Sequence, residues 1–183
     1  MEMKRKGKKE KNMNEELRDL IDDFAGGIWN ILNIGFEERI DVKKFVEYLD
    51  GTVTPCDEIP EGADGMLRKN GDAFEILFNR NMSPERIRFT IAHEIGHLLL
   101  HCGYIVNQEK WKATDDVYHE GEYEKEIQAN EFASALLMPK NRFKAYIEDH
   151  SEGNMVDMAS VARSFHVSIA SAVSRAKKLK III

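Results

Sequence analysis

Apolar residues along the chain change their spacing several times, and each change marks an element. Leu17, Leu20, Ile21 and Phe24 recur at helical spacing, and Gly26-Gly27 is expected to interrupt that helix. Ile28, Trp29, Ile31, Leu32 and Ile34 resume the pattern up to a break near Gly35. Residues 40–49 read as a second helix, ended by Asp50-Gly51. Thr52-Val53-Thr54 suits a short strand stopped by Pro55. Strict alternation then replaces the helical period. Residues 65–69 and 73–79 flank Asn70-Gly71-Asp72, which is a strong hairpin signal. Phe74, Ile76 and Phe78 fall on one face of the second strand, predicting that this face packs on the core.

From Ser83 the period returns to that of a helix. Ser83 is a good N-cap, Pro84 fits the first helical position, and Glu85 complements the positive helix start. Ile87, Ile91, Ile95 and Leu98 form one apolar face, while Arg86, Thr90, His93, His97 and His101 share a polar stripe. Gly96 lies between the two faces, where another element can approach closely. Residues 102–122 break the pattern, with Trp111 and Tyr118 scattered among acids and Gly103 and Gly121 as breakers. They are read as a surface loop or loose helix, and as a candidate substrate-contacting segment. Residues 124–138 are again strongly helical and stop before Pro139.

The polar stripe carries chemistry. His93-Glu94-Ile95-Gly96-His97 reads H-E-x-x-H, which on a helix is a zinc hydrolase signature. Four residues advance a helix by about 400°, so both imidazoles leave one face about a turn apart. Two ring nitrogens can then bind one tetrahedral ion at about 2 Å each. Glu94 sits about 100° round from His93, where a carboxylate can take a proton from the attacking water. A catalytic site needs a third protein ligand. His101 lies one turn too far along the helix unless the helix breaks, and Cys102 reads as a small buried hydrophobe. The preferred candidate is Glu126 on the second helix, with Glu122 as the fallback. Asn130, four residues on, shares its face and is placed to orient a ligating histidine. Ala129 and Ala133 are small enough for the two helices to pack closely, and Glu131, about 140° away, is expected to face solvent. Tyr104, Tyr118, His119 and Tyr123 are candidate donors to a tetrahedral oxyanion.

Composition narrows the classes. With 183 residues, 43% hydrophobic and 32% charged, the chain has the size and balance of one globular core, and no apolar run is long enough to span a membrane. Two cysteines, Cys56 and Cys102, cannot build a disulfide framework, which favours an intracellular, cytoplasmic protein. The net charge of -6 is uneven. Residues 1–13 are basic, with no apolar stretch following them, and are expected to be a disordered, solubilising tail rather than a secretory signal.

Residues 89–101, with Glu126-Ile127-Gln128-Ala129-Asn130-Glu131-Phe132-Ala133 and Leu136-Leu137-Met138-Pro139, resemble the ImmA/IrrE family of metallopeptidases. The resemblance covers about residues 40–140. It implies one zinc ion held by His93, His97 and Glu126, with Glu94 as general base. It also implies a protein substrate: a helix-turn-helix repressor of a mobile element, prophage or stress regulon. Residues 156–175 look like a helix-turn-helix, although His166 stands where such motifs usually have Gly. Arg163, Arg175, Lys177 and Lys178 would be its DNA contacts, with packing on the peptidase the stronger expectation. The fold expected is α+β: a zincin-like core over residues 14–145, then a helix-turn-helix-like segment over 146–183 packed on it. The competing reading is a non-proteolytic module that binds a repressor or DNA, with a structural or vestigial zinc site.

Overall fold

The computed structural model describes residues 13–35, 38–114, 117–118, 122–152 and 155–182. Residues 1–12 of the expected tail lie outside the described residues, as does His119; Met13 is half-buried against the core. Helix α1 (Glu15–Ile31) starts at Asn14, whose side chain accepts from the Leu17 amide at 2.7 Å. Contrary to the sequence expectation, α1 runs unbroken through Gly26-Gly27. Its buried face, Ile21, Ala25, Ile28 and Trp29, continues across the pair. That packing outweighs a propensity cost of about 1 kcal/mol per glycine.

Helix α2 (Val42–Tyr48) is capped by Asp41 and leads to strand β1 (Thr52–Cys56). Pro55 does not stop β1 as expected. The strand is an edge, pairing parallel with β3 (Ala73–Asn79), so a missing N–H is tolerated. Strand β2 (Gly65–Asn70) pairs antiparallel with β3 through the predicted hairpin, with Gly71 at φ +62° in its two-residue turn. The sheet order is β1-β3-β2-β4, where β4 is Val117–Tyr118. Phe74, Ile76, Leu77 and Phe78 are all buried, so β3 is covered on both faces.

Helix α3 (Pro84–Leu100) follows the hairpin, with Ser83 accepting from the Arg86 amide as its N-cap. It packs between the sheet and α5 (Tyr123–Leu137), and α1 covers α5 from the far side. Gly96 is the contact point of α3 and α5: a Cβ there would lie 3.1 Å from the Ala129 Cα and 3.2 Å from its carbonyl oxygen. The Trp29 indole N–H donates to the Leu136 carbonyl at 2.9 Å and pins α1 to α5.

Part of the unreadable stretch is ordered into α4 (Gln108–Ala113), anchored by the buried Trp111. Lys69 Nζ donates to the Trp111 and Lys112 carbonyls, both at 2.9 Å, which ties α4 to the hairpin. After α5 come α6 (Lys140–Asp149), the two-residue strands β5 (Ser151–Glu152) and β6 (Met155–Val156), α7 (Met158–Phe165) and α8 (Ile169–Lys178). His166 caps α7 in the left-handed region at φ 51° and ψ 52°, the conformation a glycine usually supplies. The architecture is α+β.

The charged residues of α8 correct the sequence reading. Arg175 is fully buried and cannot reach DNA. Its guanidinium pairs with Asp22 of α1, donates to Glu131 of α5 at 3.2 Å and to the Met138 carbonyl at 3.1 Å. Glu131, expected to face solvent, is therefore buried, with Lys178 Nζ at 2.7 Å as a second partner. Of the four expected DNA contacts, only Arg163 and Lys177 are exposed.

Candidate metal centre

One turn of α3 separates His93 from His97, and their Nε2 atoms lie 2.9 Å apart. Helix α5 brings Glu126 to them across the Gly96–Ala129 contact. Its carboxylate oxygens lie 3.4 Å from His93 Nε2 and 3.3 Å from His97 Nε2. The donors of all three residues fall within 4.8 Å of one another. Ligands about 2 Å from a tetrahedral ion are spaced about 3.3 Å apart, so these donors fit one such ion. Two imidazoles and a carboxylate are also a donor set that suits a borderline divalent metal. His97 is buried and Glu126 is 37% exposed, so the group is closed on one side and open on the other. The open side is a cleft of about 340 Å³.

The electrostatics follow from that placement. Burial pushes His97 down to about 3, with the adjacent His93 adding to the effect, so its ring is neutral and ready to donate a lone pair. Burial also acts to lower His93, but Glu126, Glu94 and Asn130 more than offset it and raise it overall. The hydrogen bond from His93 outweighs the opposing effect of burial and holds Glu126 below the usual carboxylate range. Asn130, four residues on from Glu126 along α5, also lines the cleft and acts to raise His93.

Glu94 lines the cleft beside the histidines and is 7% exposed. Burial pushes its carboxyl up to about 7, with the nearby Glu126 acting in the same direction. A residue the sequence reading passed over, Gly65, lies directly above it. A Cβ at Gly65 would sit 2.5 Å from the Thr90 methyl, 3.0 Å from the Leu77 carbonyl oxygen and 3.2 Å from Glu94 Oε1. The only local signal was a glycine opening a strand, which often marks close approach by another group. Met66 and Phe89 are further cleft residues missed from sequence.

His101 is no ligand. It is buried at the end of α3, with Nε2 3.2 Å from the Lys125 carbonyl, which accepts its ring N–H and joins the ends of the two helices. Cys102 is buried in the core. Glu122, the fallback ligand, is exposed and pairs with Lys125 at 3.6 Å. Among the expected oxyanion donors, Tyr104 is corrected. It packs edge-on against Phe74 and Trp111, and its hydroxyl donates to the Leu49 carbonyl at 2.6 Å, away from the cleft. Tyr123 is exposed at the start of α5 and does not line the cleft. Tyr118 pairs through its backbone with Leu67 of β2. Residues 102–114, expected near substrate, contribute nothing to the cleft wall.

Residues 60–177 match the family model of the IrrE N-terminal-like domain (Peptidase_M78). A curated relative, the radiation response metalloprotease IrrE of Deinococcus radiodurans, is 33% identical over 100 residues, which are 54% of this chain and 29% of that protein. A transcriptional regulator of Mycobacterium tuberculosis has a similar fold, with a TM-score of 0.59 at 20% identity over 89% of this chain and 51% of that one. The chain thus spans about a third of the first protein's length and half of the second's. With nearly two thirds of its length matched, hairpin, α3, α5 and most of α8 included, this chain belongs to the ImmA/IrrE family of peptidases.

Proposed function

We propose that the chain is a zinc-dependent endopeptidase that cleaves a protein, with a helix-turn-helix repressor of a mobile element, prophage or stress regulon as the substrate class. The observation that carries this reading is the convergence of His93, His97 and Glu126 beside the buried carboxyl of Glu94, on the wall of an open cleft. A structural zinc site has its full set of protein ligands and no use for an acid next to them. Zinc held by these residues supplies Lewis acidity, acidifying a water and polarising the carbonyl under attack. Glu94 takes the proton of the attacking water and returns it to the leaving amine. Asn130 orients the His93 ring. Strand β2 supplies the rail for an extended substrate. Gly65 and Met66 of this strand border the cleft, and among the described residues β4 pairs with Leu67 and Arg68 beyond them. The Deinococcus relative is a radiation response metalloprotease, which accords with a stress regulon as the setting.

The test is direct. Purified helix-turn-helix repressors incubated with the protein are expected to yield fragments that disappear when a chelator is added. Glu94→Gln is expected to keep its zinc, measured by elemental analysis, and to lose about 10²- to 10⁴-fold in cleavage rate. Turnover at the wild-type rate in that variant removes Glu94 from the mechanism. A stable complex without fragments favours the non-proteolytic module.

A further inference from the structure

The cleft at the metal centre does not end at Asn130. A second cavity, of about 300 Å³, adjoins it, and Phe89 of α3 and Asn130 of α5 belong to the walls of both. Beyond those two residues the wall is Ser134 of α5 and one side of α8, which contributes Ala170, Ser171, Ser174 and Lys178. Ala170, Ser174 and Lys178 are spaced four apart and form one stripe along the helix. The other face of α8, with Ala172, Arg175 and Ala176, is buried. The bonds from Arg175 to Glu131 and to the Met138 carbonyl fix α8 against α5, the helix that also carries Glu126.

We propose that this second cavity is a substrate subsite, away from the scissile bond, that takes an apolar side chain of the cleaved protein. The inference rests on the peptidase reading above. Position supports it, because a peptide lying in the cleft and passing Phe89 and Asn130 enters this hollow. Shape supports it, because the small side chains of Ala170 and Ser174 leave a depression between α8 and α3. Chemistry selects the occupant. Phe89 and Ala170 give apolar surface, and the Ser171 hydroxyl is engaged with Ser168 at 2.8 Å. Lys178 Nζ is committed to Glu131 at 2.7 Å, so neither an acidic nor a basic side chain gains a strong counter-charge there.

The experiment is cleavage-site profiling of the zinc-loaded protein on a peptide library made from a digested proteome, with any repressor found to be cleaved run alongside. Wild type is expected to select apolar side chains at one position away from the cut. Ser174→Trp and Ala170→Trp, both at exposed positions, fill the hollow without touching the metal ligands. Each is expected to lose that selection by about tenfold or more, in favour of Gly and Ala. Selection at other positions and zinc affinity, read by competition with a chromophoric chelator, are expected to stay. Cleavage by wild type with the same selection in both variants would overturn the subsite and leave the peptidase standing. No cleavage of any peptide or repressor by wild type would overturn the peptidase reading and the subsite with it.

Discussion

Gly65 is where a single hydrogen in place of a methyl matters most to the proposed chemistry. Strand β2 crosses α3 so closely that a Cβ would sit 2.5 Å from the Thr90 methyl, a distance such atoms do not tolerate. Gly65→Ala must therefore push strand and helix apart at Glu94. A shift of about 1 Å at a reacting group can cost about 10²-fold in rate. The expected result is a loss of that order in kcat with zinc content unchanged, and partial recovery when Thr90→Ser removes the opposing methyl. Wild-type turnover in Gly65→Ala would show that the crossing does not constrain Glu94. The histidines were legible because helix geometry alone puts residues four apart on one face. Glu126 was legible because a second periodic helix offered an acid and an amide at that same spacing. Gly65 was not, because no local pattern records which helix will cross a strand. Glu131 was misread for a related reason: its azimuth was correct, but the cation that buries it, Arg175, comes 44 residues later.

At the scale of elements, periodicity located the helices and the hairpin, and the errors fall where packing overrides local preference. Pro55 reads as a stop, yet an edge strand accommodates it. Gly26-Gly27 reads as a break, yet the apolar face of α1 carries through onto α5. The residual cost of those glycines is testable. A Cβ at either position would meet nothing within 4 Å, and both lie in regular helix. Alanine at each is expected to stabilise the fold by about 0.5–1 kcal/mol, through lower entropy of the unfolded chain. Urea denaturation of Gly26→Ala, Gly27→Ala and the pair reads this as a higher midpoint at constant slope. A lower midpoint would mean that α1 is not continuous there. Gly96 is the opposite case. Its missing side chain is what lets α5 approach α3, and the sequence signalled this by placing it between the two faces of the helix and by pairing it with a helix rich in alanine.

For the molecule as a whole, a buried charge cluster determines how α1, α5 and α8 meet. Arg175 is enclosed between Asp22 and Glu131, and Lys178 and Arg18 approach Glu131 at 2.7 and 3.9 Å. Three cations thus face two carboxylates drawn from three helices. Such a cluster contributes little net stability, because desolvating the ions cancels most of their attraction, but removing one partner strands the others. Arg175→Met leaves Asp22 buried without its cation and Glu131 with only its peripheral partners. The expected cost is about 3–5 kcal/mol in urea denaturation. Adding Asp22→Asn and Glu131→Gln removes the stranded charges, and the triple variant is expected to regain most of that loss. A single-variant cost below about 1 kcal/mol would mean that the cluster is solvated. The same variants separate the two uses the sequence allowed for α8. A helix that reads DNA would lose nucleic-acid affinity with Arg175 and keep its fold, whereas a helix that walls a groove loses its anchor and stays indifferent to nucleic acid. The burial of Arg175 predicts the second pattern.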